Sequence, residues 1–268
     1  MRNLILFTLT VLSASLFASE PFYKTLDTPP APELTPSEAL ATFSLAPGFE
    51  ITLVAGEPLI EDPVAITWDE MGLMYVVEMR GYMPDVDGNG KDAPVGMIVQ
   101  LEDVNHDGVY DERKVLLDGL ILPRALAVVN EGLLVGEPPN LWLCPRDSER
   151  TQRIRCDNKQ RLGDFGRPTA NVEHDENGML LGIDNWIYNA KSDRRIQYKK
   201  GALQVEPTLA RGQWGITASN SGALYYNTNS NLLMGDLYDA QPVIEAGNKG
   251  AAGLNIEVSR DDKLYAVR

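Results

Sequence analysis

A strand–turn–strand phrase that recurs four times constrains the fold of this chain more than any other feature of the sequence. In each copy, two apolar, strand-like runs flank a short polar turn of the kind that closes β-hairpins. The four copies are Asp62–Met79, Leu122–Pro138, Glu173–Ala190 and Trp214–Thr228. Their turns recur at intervals of roughly 35–60 residues, the range of propeller blades with four strands each. The repetition therefore predicts an all-β chain built from similar sheets.

We predict a β-propeller over residues 35–268, with about four blades present and the ring incomplete. A continuous β-sandwich is the alternative, which the repeated apolar phrase disfavours. Before the first copy, Phe49–Val54 alternates in the manner of a strand. Thr35 followed by Pro36 and Glu38 predicts a short N-terminal helix with a capping box, ending near Phe43.

The N-terminus predicts export. Residues 1–19 read as a signal peptide, with Arg2 ahead of an apolar run and a small-residue exit, and an uncleaved anchor is the alternative. Residues 20–34 form a proline-rich leader that we expect to be extended. The mature chain is expected to be periplasmic or secreted, with no membrane span.

The net charge of the chain limits the classes of molecule that it can bind. The chain has 38 acidic and 24 basic residues and a formal net charge of −14. That balance argues against nucleic acid and anionic membranes as partners. Cations, calcium especially, and neutral ligands such as sugars remain compatible with it.

Cys144 and Cys156 are the only two cysteines of the sequence. A polar loop separates them, flanked by strand-like runs at 141–143 and 153–155. We predict a disulfide that closes this hairpin loop, as expected in an oxidising compartment. Two free buried thiols are the alternative, and the spacing matches no zinc or haem motif.

A second motif resembles the first nine positions of a calcium loop. Its ligands would be Asp103, Asn105, Asp107, the backbone carbonyl of Val109, and Asp111. Position twelve is Lys114 instead of glutamate, and the flanking runs read as strands. The motif predicts a weak, structural calcium site on a hairpin, with a solvated acidic turn as the alternative.

His174 is the candidate general base. It precedes the inner strand of the third copy and lies among Glu173, Asp175 and Glu176. Neighbouring carboxylates would orient an imidazole and raise its pKa, as a base near neutral pH requires. The alternative is a solvated histidine in an acidic loop.

Arg80, Arg124 and Arg211 are candidates for binding a carboxylate-bearing cofactor. Each stands where a strand meets a loop near the repeated phrase. Arginine at such a position can form two parallel hydrogen bonds to a carboxylate. A surface ion pair is the alternative for each of them.

The quoted residues together resemble a known family. From Ala39 to Leu237 the chain is similar to the N-terminal propeller of the planctomycete and verrucomicrobial membrane-bound dehydrogenases, relatives of quinoprotein glucose and sorbosone dehydrogenases. The similarity lies in PGFEITLVAGEPLIEDPVAITWDEMGLMYVVEMRGY, LEDVNHDGVYDERKVLLDGL, EHDENGMLLGIDNWIYNAKS and RGQWGIT. The resemblance implies a six-bladed propeller, with His174 matching the base that takes a sugar hydroxyl proton. Arg211 matches a quinone-binding arginine, although Gly212 stands where that family has asparagine.

Two hypotheses follow. In the first, the chain is part of a dehydrogenase in which His174 assists hydride transfer from a sugar-like alcohol to pyrroloquinoline quinone (PQQ). Calcium would polarise the cofactor, and a cytochrome c domain would accept electrons. In the second, the chain is a non-catalytic, calcium-stabilised propeller that binds carbohydrate or a partner protein. Fold alone does not decide between them.

Overall fold

The structure is a computed structural model that describes residues 33–147, 152–166 and 171–259. The predicted signal peptide and nearly all of the predicted leader lie outside the described residues. Helix α1 spans Pro36–Ala41 and has the predicted capping box. Thr35 Oγ1 accepts the N–H of Glu38 at 3.3 Å, and the Glu38 carboxylate accepts the N–H of Thr35 at 2.8 Å. Within the described ranges, no helix is long and apolar enough to cross a membrane.

The described residues contain sixteen strands in four consecutive groups of four, which we call blades 1 to 4. Blade 1 comprises β1 (Pro63–Trp68), β2 (Met74–Glu78), β3 (Gly96–Glu102) and β4 (Glu112–Leu120). Blade 2 comprises β5 (Ala125–Val129), β6 (Gly132–Glu137), β7 (Asn140–Pro145) and β8 (Gln160–Asp164). Blade 3 comprises β9 (Asn177–Leu181), β10 (Ile187–Ala190), β11 (Ser192–Lys199) and β12 (Ala202–Arg211). Blade 4 comprises β13 (Thr217–Ala218), β14 (Leu224–Tyr226), β15 (Met234–Gly235) and β16 (Ile256–Glu257), with helix α2 (Gln241–Glu245) between the last two.

Within each blade, consecutive strands pair antiparallel, and in blade 3 the end of β10 also pairs with β12 in parallel, at Ala190 and Arg211. The first strands of neighbouring blades meet. β5 pairs with β9 in parallel at Ala125 and Gly178, and β1 packs beside β5. The first strand of each blade is therefore its inner strand. This arrangement confirms the prediction of an all-β propeller with about four blades, whereas the total of six blades stays a prediction.

The middle strands are buried on both faces. In β6, Leu133 and Val135 pack into an apolar cluster shared with blade 1, and Leu134 packs into a second cluster shared with blade 3. All three side chains are fully buried. Alternate residues of a strand point to opposite faces, so both faces of blade 2 are covered by neighbouring blades. An open sandwich sheet would leave one face in water, and that alternative is wrong for this chain.

The predicted disulfide is present. Cys144, in β7, is bonded to Cys156, with a Cα–Cα distance of 4.5 Å. Both sulfurs belong to the apolar cluster between blades 1 and 2. The expected strand at 153–155 is reduced to a single bridge between Ile154 and Arg146.

The strand predicted over Phe49–Val54 is wrong. The structure gives this segment no strand pairing, and Phe49 is 75% exposed. One carbonyl, that of Val54, accepts the N–H of Tyr110 at 2.9 Å. The alternation of apolar residues is present, but no sheet edge among the described residues pairs with it.

Candidate functional site

The loops of the blades fall at two opposite ends, because successive strands run in opposite directions. We call upper face the end that carries the β2–β3, β4–β5, β8–β9 and β12–β13 connections. The lower face is the opposite end, which carries the β3–β4 loop. The hydroxyl of Tyr82, in the β2–β3 connection, donates to Glu173 Oε1 at 2.6 Å in the β8–β9 connection. This bond places the loops of blades 1 and 3 together on the upper face.

His174 lies on the upper face, at the end of a 3₁₀ helix over Val172–His174. Asn171 begins this turn, since its side chain accepts the N–H of Glu173 at 3.1 Å. The imidazole is exposed, and no hydrogen bond or ion pair joins it to any described residue. The imidazole is therefore accessible to a ligand, but no described residue fixes its orientation by a hydrogen bond.

The three neighbouring carboxylates do not orient His174, so that part of the prediction is wrong. Glu173 accepts the Tyr82 hydroxyl. Asp175 is buried, with Oδ2 at 3.7 Å from Nη1 of Arg124. Glu176 is also buried and accepts from Asn189 at 2.8 Å and from Arg194 at 3.0 Å. The carboxylates next to His174 in the sequence bind groups on four other elements: the β2–β3 and β4–β5 connections, β10 and β11.

Arg124 is the most enclosed of the predicted arginines, with 2% of its surface exposed. Besides facing Asp175, it donates to the carbonyl oxygens of Val172 and Leu122. Its guanidinium lies over the ring of Trp214, 6.0 Å from the centroid. Burial lowers the pKa of Arg124, and the charge of Asp175 opposes that shift. Arg124 thus joins the loops that lead into blades 2, 3 and 4.

Arg80 and Arg211 are also paired. Arg80 donates to Glu78 Oε2 at 2.6 and 3.0 Å and lies 3.1 Å from Glu61. Arg211 donates through Nε and Nη2 to Asp236 Oδ2, at 3.0 and 2.7 Å. Arg80 and Arg124 share the upper face with His174, whereas Arg211 faces a cavity between blades 3 and 4.

These ion pairs oppose the binding of a quinone cofactor by the three arginines. PQQ carries carboxylates, and an arginine that binds one has to offer an uncompensated guanidinium. Each of the three predicted arginines already has a protein carboxylate within 4 Å. Exchanging a buried ion pair for a ligand leaves a buried carboxylate without its cation, which is unfavourable. The described residues therefore do not fit the cofactor in the predicted way.

A larger feature is the central cavity of about 590 Å³ between the inner strands. Strands β1, β5 and β9 and the segment 214–216 line it. Trp68 and Trp214 lie on this lining with 48% and 37% of their surfaces exposed. Sequence reasoning missed both tryptophans as site residues. The available signal was their position, since each belongs to a copy of the repeated phrase.

The predicted calcium loop joins β3 to β4 on the lower face. Its side-chain oxygens accept backbone N–H groups: Asp103 Oδ2 from Gly108 at 2.9 Å, and Asn105 Oδ1 from Asp107 at 2.9 Å. Asp111 Oδ2 accepts from Val104 at 3.2 Å. Among the described residues, no three His, Cys, Asp or Glu side chains are grouped to hold a metal. The loop lies on the face opposite His174, and calcium binding by it stays a prediction.

Comparison with known proteins places the chain in a family. Residues 35–263 match the family described as "Domain of unknown function (DUF7133)". Comparison with curated proteins finds no match.

Solved structures with similar strand arrangements include three enzymes or enzyme domains. They are the PQQ domain of pyranose dehydrogenase from Coprinopsis cinerea (16% identity, TM-score 0.41, 68% of this chain and 46% of that one), a gluconolactonase from Xanthomonas campestris (12%, 0.41, 65% and 57%) and a luciferin-regenerating enzyme (15%, 0.41, 66% and 55%). The chain spans about half the length of these proteins. At such identities and scores no activity is transferred to this chain. The family match over most of its length does assign it: the chain belongs to the DUF7133 family.

Proposed function

We propose that this chain is an exported, non-catalytic propeller domain that binds a carbohydrate in its central cavity. The observation that supports this proposal is the pair of half-exposed tryptophans, Trp68 and Trp214, on the cavity lining. Hydrophobic and aromatic side chains predominate in the lining of ligand pockets. The disulfide between Cys144 and Cys156 supports export.

A sugar ring matches this lining chemically. One side of a pyranose presents C–H groups that pack on an indole face, and its hydroxyls need polar partners at the edge. Thr67, Glu70 and Arg124 also line the cavity and lie next to the tryptophans or over one of them. A neutral ligand also suits a chain whose formal charge is −14, because it meets no repulsion.

Titration calorimetry with neutral mono- and disaccharides tests the proposal. We expect at least one sugar to bind, and Trp68→Ala and Trp214→Ala each to weaken it by about tenfold, which corresponds to about 1.4 kcal/mol. Trp186→Ala is the matched control. That ring is outside the cavity lining and stacks with Arg195, 4.3 Å from the centroid. If no sugar binds, or if the control weakens binding equally, the central cavity is not a carbohydrate site.

Quinone-dependent oxidation of a sugar-like alcohol is the second candidate, as in the membrane-bound dehydrogenases. Its supporting observation is the His174 imidazole, which is exposed and has no hydrogen bond to a described residue. Such a group is free to accept a proton from an alcohol. The cofactor would supply the hydride acceptor, and a cytochrome c domain or another acceptor would take the electrons.

The two candidates are separated by an oxidation assay with added PQQ, calcium and an artificial electron acceptor. We expect no oxidation, since Arg80, Arg124 and Arg211 are already ion-paired. Oxidation that is lost in His174→Ala but kept in the exposed control His106→Ala would replace the binding proposal with the dehydrogenase.

A further inference from the structure

Arg124 carries a hydrogen-bond donor that no described group of the protein uses. Its side chain is 1% exposed, and Nη1 lies 3.7 Å from the carboxylate of Asp175. Nε donates to the carbonyl oxygen of Leu122 at 3.1 Å, and Nη1 donates to that of Val172. Nη2 donates to no described residue. Because an N–H group without a partner is unfavourable inside a protein, a ligand that brings an acceptor to Nη2 gains affinity.

The Nη2 group is open to the central cavity. Among the described residues, the polar side-chain atoms that are fully enclosed without a partner belong to Arg113, Asn189 and Gln241. Nη2 of Arg124 is unpaired but is not enclosed in this way, and Arg124 lines the central cavity. The guanidinium is held in place, since its other nitrogens are bound and it lies over the Trp214 ring, 6.0 Å from the centroid. The cavity therefore presents a fixed donor beside an indole ring.

The carboxylates on the same lining are already bound by groups of the protein. Asp69 accepts three hydrogen bonds of 2.8 to 3.0 Å from its own β-hairpin. Each oxygen of Glu70 lies 2.8 Å from a nitrogen of Arg146. A sugar hydroxyl is a donor as well as an acceptor, so it also needs an acceptor in the protein. The charged side chains of the lining therefore favour a ligand that has a strong acceptor and few donors.

We propose that the ligand of the central cavity is an N-acylated amino sugar whose carbonyl oxygen accepts a hydrogen bond from Nη2 of Arg124. This inference rests on the carbohydrate-binding function proposed above. A carbonyl oxygen only accepts hydrogen bonds, and the acyl methyl group suits the apolar part of the lining, which includes Leu126 and Met179. The Thr67 hydroxyl, on the same lining, is an acceptor for the amide N–H. Because the ligand is neutral, Arg124 keeps its ion pair with Asp175.

A comparison of sugars that differ at one substituent tests the acyl group. In calorimetry with the whole chain, N-acetylglucosamine and N-acetylgalactosamine are each compared with the parent hexose. We expect at least one N-acetyl sugar to bind about tenfold more tightly than its parent, since a hydrogen bond to a charged donor is a strong one. Glucosamine, which has the nitrogen but no carbonyl, is expected to bind no more tightly than glucose.

The outcomes separate this inference from the function on which it rests. If the hexoses bind and the N-acetyl sugars bind no better, the acyl group is not recognised and only this inference fails. Glucosamine binding as tightly as N-acetylglucosamine would also overturn it, because the carbonyl would then be irrelevant. If none of these sugars binds, the carbohydrate proposal and this inference both fail.

Arg124→Lys locates the donor. Lysine keeps a positive charge opposite Asp175 but has one nitrogen in place of three, so the preference for the N-acetyl sugar should fall about fivefold. Arg195→Lys is the matched control, because Arg195 is also a buried, ion-paired arginine but lies outside this lining. The control should keep the preference. A preference that Arg124→Lys retains, or that both variants lose equally, would refute the inference. If Arg124→Lys does not fold, the comparison of sugars in the unaltered chain decides alone.

Discussion

Arg124, which the sequence predicts to bind a cofactor, forms a buried ion pair with Asp175. Replacing Arg124 by methionine will measure how much that pair stabilises the fold. The side chains of Arg124 and Asp175 are 1% and 3% exposed, and their charged atoms are 3.7 Å apart. Methionine keeps most of the volume but leaves the Asp175 carboxylate buried without that cation. Breaking a buried pair in this way costs about 3–5 kcal/mol. The contact with the Trp214 ring adds about 0.5–2 kcal/mol to the loss.

Urea unfolding followed by tryptophan fluorescence gives the cost directly, and the combined loss of about 3.5–7 kcal/mol should lower the Tm by about 7–28 °C. Arg161→Met is the control, because its pair with Asp164 has side chains 46% and 71% exposed. Such surface pairs contribute about 0–1 kcal/mol. Adding Asp175→Asn to Arg124→Met should recover part of the loss, because it removes the buried charge that faced the Arg124 cation. If Arg124→Met costs no more than Arg161→Met, the buried pair does not stabilise the upper face.

Three further predictions concern other parts of the molecule. Folded protein without reductant should take up no thiol label, and Cys144→Ala with Cys156→Ala should lower the free energy of unfolding by about 3 kcal/mol; two labels on folded protein would exclude the bond. Calcium should bind the 103–111 loop with a Kd of about 0.1–1 mM and raise the Tm, an effect lost in a loop variant, Asp111→Asn; an unchanged Tm in excess calcium would refute the site. Burial and the hydrogen bond to Asp69 raise the pKa of Tyr75, so the contribution of this group to stability should be constant below pH about 10 and be lost above it. Stability should therefore fall less steeply above pH about 10 in Tyr75→Phe; equal slopes would contradict this.

The repeated phrase predicted the inner hairpins of the first three blades well. A hairpin requires two apolar, strand-like runs and a short turn between them, and both are read from neighbouring residues. The copy at Leu122–Pro138 forms β5 and β6, which turn at residues 130–131. Phe49–Val54 has the same alternation, yet it forms no strand. A strand also needs a neighbouring edge, which is a property of the whole fold and not of six residues.

The candidate site was harder to predict because its contacts join distant parts of the chain. The partner of Arg211 is Asp236, 25 residues later, and the partner of Glu173 is Tyr82, 91 residues earlier. Adjacency in sequence suggested instead that Glu173 and Asp175 act on His174. Glu173 and His174 lie on one 3₁₀ turn, in which successive side chains point about 120° apart, so adjacent residues rarely share a target.

The two-sided burial of β6 has a consequence for how its register is fixed. A strand with one wet face is held in register by its apolar pattern, but a slip of one residue in β6 would still bury leucine and valine on both faces. Two glycines of β6 distinguish the native register from the shifted ones. A Cβ on Gly132 would lie 2.1 Å from the Cys144 carbonyl oxygen, and one on Gly136 would lie 2.5 Å from the Phe165 ring. A slip of one residue in either direction would drive a leucine or valine side chain into one of these spaces. Gly132 and Gly136 therefore fix the register of β6, because only a residue without a side chain fits at either position.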